Sequence, residues 1–385
     1  MIDSLLHSPM LSVVLGCAVF GAVCWCSILL MPWRPASVRE NIEPSASMQL
    51  KRQLDNITVL IPARNEALYI RHTLDTIKIQ GDGLKIIVID DQSTDNTARL
   101  AREAGAQVIT GTTPPAGWSG KLWALEQGLY KVQTPYTLLL DADIALSPGI
   151  IAALQDKMKT EQLALVSLMA KPSMDNIVER FLMPAFIFFF KLLYPFSLAN
   201  KPTSRMAAAA GGCILVETPV LRSVGAFGNL HNALIDDCTL ASHVKYAGNK
   251  IWIGLSHAAR SHRSYVSLHS IWDMVARTAY TQLSYSLILL ILCTIIMLSM
   301  SWIAPFVFLL LQNQEAYMIS VIAWVAMYLA YSPTLIYYHR SLYWVLALPL
   351  IGALYLAMTW TSAIRYWRGE RARWKDRQYE SKTNC

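Results

Sequence analysis

Charge is what this sequence has least of. Only 15% of its 385 residues are Asp, Glu, Lys or Arg, whereas 54% are hydrophobic; a soluble domain of ordinary composition is about 25% charged. So apolar a chain is not a disordered one, and the shortage argues against an ordinary cytosolic enzyme. Cysteine patterning is missing as well. The seven cysteines are scattered, with Cys17, Cys24 and Cys26 in one apolar run, and no CxxC or zinc-type spacing occurs. Neither a disulfide framework nor a structural metal is implied. The usual nucleotide signatures fail too. Around Gly120-Lys121 the glycine that a Walker A loop requires is Pro115, and Leu122 replaces the hydroxyl residue. No GxGxxG follows an expected strand, so P-loop and dinucleotide chemistry are disfavoured.

The missing charge is concentrated. From Met1 to Trp33 only Asp3 is charged, and from Ser284 to Ile364 only Glu315 and Arg340. Met10–Met31 is an unbroken apolar run, and about 20 such residues cross a bilayer. It lacks a basic n-region, so it reads as a signal anchor rather than a cleaved signal. Arg34 and Arg39 follow it. The positive-inside rule then places the central region in the cytoplasm, at the inner (cytoplasmic) membrane of a multi-pass protein. Further spans are expected at Tyr285–Phe306, Tyr317–Tyr338 and Leu342–Ala363. Three crossings would leave the basic tail 365–385 outside, against its charge. Either the run 284–311 is split or re-entrant, or one run lies in the interface. The net charge of +7 reads as this bias plus attraction to anionic lipid. Nucleic acid is not an expected partner, since no aromatic–basic recognition motif accompanies the charge.

The centre is different. Ile57–Pro62, Lys85–Asp90, Gln107–Ile109 and Tyr136–Leu140 are short β-rich runs separated by helical patterns, which predicts an α/β domain with a mainly parallel sheet flanked by helices. Ligands in such sheets sit beyond the carboxyl ends of the strands. Three of those ends carry polar groups: Arg64-Asn65-Glu66, Asp90-Asp91 and Asp141-Ala142-Asp143. Two carboxylates one residue apart at a strand end suit a hard divalent cation, Mg or Mn, that neutralises a departing diphosphate.

Together, Pro62-Ala63-Arg64-Asn65-Glu66, Asp90-Asp91-Gln92-Ser93-Thr94-Asp95, Gly120-Lys121 and Asp141-Ala142-Asp143 resemble the family 2 glycosyltransferases of the GT-A fold in order and spacing. The resemblance implies that the loop beginning at Pro62, with Glu66 and Asp91, holds the nucleotide base of a nucleotide-sugar donor. It also implies that Lys121 approaches the diphosphate, and that Asp141 and Asp143 hold the diphosphate through the cation. The family's usual aromatic residue at position 64 is Arg64 here.

Beyond Asp143 the pattern is less regular. The small residues of Ala207–Cys213 serve close packing or let a sugar ring approach the backbone; the resemblance favours the sugar, at Gly212. Asp236-Asp237 precedes a helix through Lys245 and reads as a cap and helix-dipole partner. The resemblance instead makes Asp237 the catalytic base, with Asp236 beside it in the substrate site. A hydroxyl acceptor needs such a base, whereas a lipid phosphate does not. The Gln-x-x-Arg-Trp box of processive synthases is absent; Arg277 meets the diphosphate or anchors the chain at the membrane. Phe181–Phe196 is apolar but interrupted by Pro184, Lys191 and Pro195, and is expected as an interfacial segment over 181–198 or as a core helix.

With PARNEA, IDDQSTDNT, GWSGK, DADI, GGC, IDDC and VARTAYTQL, the whole chain is most similar to the bacterial hopene-associated glycosyltransferases. The implied activity is inverting sugar transfer from a UDP-linked donor to a membrane lipid acceptor, conceivably a hopanoid. The rivals are a polyprenyl-phosphate glycosyltransferase, a short-chain polysaccharide synthase, disfavoured by the missing box and the few spans, and an inactive membrane scaffold. The expected division is an anchor at 1–33, a linker at 34–55 and a GT-A domain at 56–270. Within that domain, 56–145 is the donor half and 146–270 the acceptor half. A juxtamembrane helix and membrane helices occupy 271–364, and a basic tail 365–385.

Overall fold

The computed structural model describes residues 9–45, 52–230, 235–370, 373–374 and 377–378, the last four by backbone alone. Residues 1–8, Leu234 and most of the basic tail therefore lie outside the described residues. The chain forms two compact units. One contains Arg39–Ser173 and Phe196–Ser264; the other contains the chain up to Val38, Met174–Pro195 and Tyr265–Glu370. This division corrects the continuous 56–270 domain, because Met174–Pro195 belongs with the apolar helices.

The first unit is built on an eight-stranded sheet. Its strands are β1 (Ile57–Ala63), β2 (Lys85–Asp90), β3 (Gln107–Thr110), β4 (Tyr136–Leu140), β5 (Ile144–Leu146), β6 (Leu165–Lys171), β7 (Cys213–Glu217) and β8 (Ile251–Ser261), in the spatial order β3-β2-β1-β4-β7-β6-β8-β5. The four N-terminal strands are parallel, as expected. Past β4 the sheet is mixed: β7 is antiparallel to β4 and β6, β6 is parallel to β8, and β5 is antiparallel to β8. The expected α/β sheet flanked by helices is present, wholly parallel through its first four strands and mixed beyond them.

Alternation along the strands separates two helical layers. Val59, Ile61, Val88 and Leu138 pack with the helices Ile70–Lys78 and Ile150–Glu161 on one face. Leu60, Ile87, Ile89 and Leu139 pack with Gly120–Leu129 and Asp236–Tyr246 on the other. Gly128 is required for this second contact, since a Cβ there would sit 2.6 Å from Ile89 Cδ1. Part of the expected linker is also structural. Leu255 N–H donates to Glu40 O at 2.8 Å and Ile42 N–H to Leu255 O at 3.1 Å, so residues 40–42 run beside β8.

Among the described residues of the second unit, four helices are long and apolar enough to cross a membrane: Met10–Leu30, Leu287–Leu311, Gln314–Tyr337 and Leu342–Trp367. The run 284–311, for which a split or re-entrant pair was one of the alternatives, forms one continuous 25-residue helix, Leu287–Leu311, about 37 Å long at 1.5 Å per residue. It contains a π-turn at Ser299–Ile303, where Gly21 brings the first helix against Ser299 O. Trp25 Nε1–H donates to Met300 O at 2.8 Å. That bond satisfies a carbonyl which lipid could not. Gln314–Tyr337 runs antiparallel to Leu287–Leu311: Ser320 bonds Ala304 O, and Trp324 bonds Pro305 O.

The last helix also runs antiparallel to Leu287–Leu311. A Cβ on Gly352 would meet Ser301 Oγ, Trp360 Nε1–H donates to Thr294 Oγ1, and Ala363 packs on Leu290. Each of the last two helices therefore packs antiparallel to Leu287–Leu311. The last helix ends beside the segment that precedes Leu287. Arg365 pairs with Asp273 at 2.7 Å, Tyr280 N–H donates to Ser362 Oγ, and Trp272 Nε1–H donates to Thr361 Oγ1.

The helix Ile177–Leu193 packs inside this unit. Phe188 meets Trp25 and Tyr331, and Tyr355 Oη–H donates to Leu182 O. Lys191, 1% exposed, donates to Ala36 O. Of the two expectations for this segment, a helix in the core of the apolar unit matches these contacts.

Candidate active site

The expected donor side begins where β1 and β2 end. Asn65 adopts a left-handed φ of 53°, which asparagine tolerates because its side chain can bond locally. Its Oδ1 accepts from Thr94 N–H at 2.9 Å and its N–H donates to Ser93 Oγ at 3.0 Å. Glu66 N–H donates to Thr97 Oγ1 at 2.8 Å, and Ala67 N–H to Asp95 Oδ2 at 3.1 Å. Arg64 donates to the carbonyls of Asp91 (2.6 Å) and Gln92 (3.1 Å). Arg64 thus laces the two loops together where an aromatic residue was the family expectation. The bonds fix Glu66 and Asp91, 5% and 1% exposed, in one place.

At the end of β4, Asp141 N–H donates to Gly212 O at 3.1 Å, and Asp141 Oδ1 lies 2.7 Å from Lys121 Nζ. Lys121 enters from the first turn of Gly120–Leu129, which Ser119 caps by accepting from Leu122 N–H. Burial opposes the charge on Lys121, but Asp141 and then Asp236 and Asp237 carry its pKa above the ordinary lysine value. Asp143 faces another cation. Its Oδ2 accepts from Ser261 Oγ at 2.8 Å and lies 3.3 Å from Arg263 Nε; Arg263 Nη2 reaches Glu66 Oε1 at 2.7 Å. Among the described residues no group of three or more His, Cys, Asp or Glu is arranged to hold a metal.

The expected acceptor residues Asp236 and Asp237 meet Asp141 through Lys121. Asp236 and Asp237 occupy the first turn of the helix Asp236–Tyr246. Asp237 Oδ2 accepts from Gly211 N–H and Oδ1 from Cys238 N–H, both at 2.7 Å. A Cβ on Gly211 would stand 3.2 Å from that Oδ2 and 3.5 Å from Lys121 Nζ, so only glycine lets the three groups converge without displacement. Burial, reinforced by the charge of Asp236, pushes the Asp237 pKa up to about 6 against the pull of the two amides and Lys121. A narrow cleft open to solvent is lined by Pro62, Lys121, Asp141, Gly211, Asp236 and Asp237.

Pro62, Lys121, Asp141, Asp236 and Asp237 of the sequence-derived set therefore share one cleft, while Glu66 and Asp143 are joined by Arg263. Gly212 packs against Ile144, and its neighbour Gly211 makes the contact. Arg277 lies in the apolar unit, where its N–H donates to Asp273 O after the helix Leu268–Ala276. Sequence reasoning missed Arg263, Ser261 and Gly211. The signal for the first two was a basic residue just past a long buried strand, and only the pairing of Ile144 with Ser261 brings it to Asp143.

Residues 58–225 match the family model described as "Glycosyl transferase family 2". This stretch is a family 2 glycosyltransferase domain. The 4,4'-diaponeurosporenoate glycosyltransferase of Staphylococcus aureus (strain bovine RF122 / ET3-1) is 41% identical over 90 residues, covering 23% of this chain and 24% of the relative. That of strain USA300 is 42% identical over 89 residues, again with 23% and 24% covered. The chain thus spans about a quarter of the length of these relatives. The mannosyltransferase PcManGT from Pyrobaculum calidifontis, solved with GDP-Man and Mn2+, is similar over 93% of this chain and 100% of its own, with a TM-score of 0.57 and 15% identity. That likeness shows a shared GT-A-like fold.

Proposed function

We propose that this protein is a membrane-bound, inverting glycosyltransferase that moves a sugar from a UDP-linked donor to the hydroxyl of a membrane lipid. The observation that carries this reading is the meeting of Asp141, Lys121 and Asp237 in one cleft. Glu66 and Asp91 hold the base, with Asp91 at the end of β2 accepting from a base N–H. Lys121 holds the diphosphate at a helix N-terminus.

The residues fit a hard cation on the donor. Burial makes Asp141 harder to ionise; Lys121 pulls the other way, and the nearby Asp143 charge adds to the burden. Such a carboxylate pair accommodates further positive charge. With no third protein carboxylate or histidine alongside among the described residues, Asp141 and Asp143 would hold Mg or Mn together with phosphate oxygens and water. When bound, that ion supplies charge neutralisation for the leaving diphosphate.

Asp237 accepts the acceptor hydroxyl's proton as the new C–O bond forms at the anomeric carbon. The bond to the diphosphate breaks on the opposite face and its electron pair leaves with UDP. An Asp237 pKa of about 6 keeps it ionised yet basic near neutral pH. Transfer to a lipid phosphate would not need this base. The relatives named for a lipid-related substrate and the four apolar helices support a lipid acceptor, with hopanoids the class carried by the resemblance. The test is product analysis: membranes containing the protein are incubated with radiolabelled UDP-sugars and host lipid extract. Label in a lipid that survives mild acid supports a hydroxyl acceptor; label released as from a glycosyl phosphate refutes it.

A further inference from the structure

Arg263 is not among the motif residues, yet it stands at the centre of the donor side. It follows β8, whose pairing with β5 sets Ser261 opposite Ile144. Its guanidinium bridges Glu66 Oε1 at 2.7 Å and Asp143 Oδ2 at 3.3 Å, beside the Tyr69 ring with the guanidinium carbon 5.5 Å from its centroid. The two carboxylate side chains are 7% and 11% exposed, whereas the Arg263 side chain is 30% exposed. Carboxylates so placed need a counter-charge, and arginine cannot discharge itself by losing a proton.

We propose that Arg263 is an exchangeable counter-charge, holding Glu66 and Asp143 until the donor binds and then turning to the donor's diphosphate. The proposal rests on the donor-site reading above. Asp143 is a carboxylate that would hold a hard cation, and the guanidinium 3.3 Å from its Oδ2 would repel a cation arriving there. Arg263 must therefore yield Asp143 as the cation arrives. A diphosphate is the anion that the guanidinium fork matches best. The partial exposure of the side chain leaves it a path to move, while Ser261, accepting from Arg263 N–H at 3.3 Å, keeps its backbone in place. The exchange makes the cation and the donor arrive together: alone, the cation competes with Arg263, and with the diphosphate present Arg263 assists it.

The test uses the detergent-purified full chain and two titrations, Mn2+ alone followed by the EPR signal of the free ion, and UDP with saturating Mn2+ followed by calorimetry. For Arg263→Gln, Mn2+ alone should bind roughly tenfold tighter and UDP with Mn2+ roughly tenfold weaker, the range for one charge-assisted bond. Opposite signs are the mark of exchange. Both affinities unchanged, or both weakened with a fall in Tm, would identify a fixed structural bridge and overturn the proposal. Arg263→Lys keeps the charge but loses the fork, so Mn2+ alone should bind within about threefold of wild type while UDP with Mn2+ binds more weakly than to wild type; if the Gln variant fails to fold, a Lys variant that binds UDP with Mn2+ as tightly as wild type also overturns it. Wild-type protein with no Mn2+-dependent UDP binding would instead sink the donor-site reading, and the exchange with it.

Discussion

Replacing Asp237 by Asn tests the acceptor chemistry most directly. The side chain keeps its size but cannot take a proton, and loss of a general base costs about 10²- to 10⁴-fold in rate, or roughly 3–5 kcal/mol of transition-state stabilisation. The change has a structural cost as well. Asp237 accepts two backbone N–H groups, from Gly211 and Cys238, and Asn offers one oxygen. One amide must then face an NH₂, at about 1–3 kcal/mol of stability, so a lowered Tm is expected. Donor binding should stay within about twofold of wild type, because Asp237 touches the acceptor rather than the diphosphate. The assay is transfer of radiolabel from the UDP-sugar to lipid, beside calorimetric titration with UDP and Mn2+. The wild-type kcat/KM should fall tenfold per unit below pH about 6, where Asp237 takes up a proton, and the Asn variant should lack that limb. Transfer by Asp237→Asn within about threefold of wild type, with donor binding intact, would remove Asp237 from the chemistry and favour a phosphate acceptor.

Three further outcomes are expected. Asp143→Ala should abolish Mn2+-dependent UDP binding while circular dichroism shows a folded protein; unchanged titration would refute the cation site. Lys121 holds down the Asp237 pKa, so Lys121→Met should shift the acid limb of the surviving activity to higher pH and weaken UDP binding; an unmoved limb would show that Lys121 does not reach the base. Because the last helix ends beside residues 272–285, impermeant reagents should label cysteines introduced at Gly369 and at Ser267 from the same side of the membrane. Labelling from opposite sides would contradict the direction of that helix.

The direction of the last two apolar helices was not legible in their sequence. Four span-length helices seemed to strand the basic tail opposite the charged side of the first span. The conflict assumed that each helix reverses the one before. Gln314–Tyr337 and Leu342–Trp367 instead both pack antiparallel to Leu287–Leu311. Nothing in an apolar run records which way its neighbour points.

The local chemistry of the chain was sufficient for the donor half. Strands buried on both faces read as continuous β-rich runs, so β1, β2 and β4 and the polar groups at their ends were legible before any contact was known. The DxD pair and the acidic pair at 236–237 were equally legible, since each is a short contiguous cluster. Tertiary structure decided what depends on residues distant in sequence. Antiparallel pairing of β5 with β8 carried Arg263 to Asp143. Close approach of the chain to the Asp237 carboxylate chose Gly211 over Gly212 as its contact. Packing of Phe188 and Lys191 drew Met174–Pro195 out of the sheet unit. The shortage of charge announced apolar helices; how they run, and which of the remaining charges meet, follows only from long-range pairing and packing.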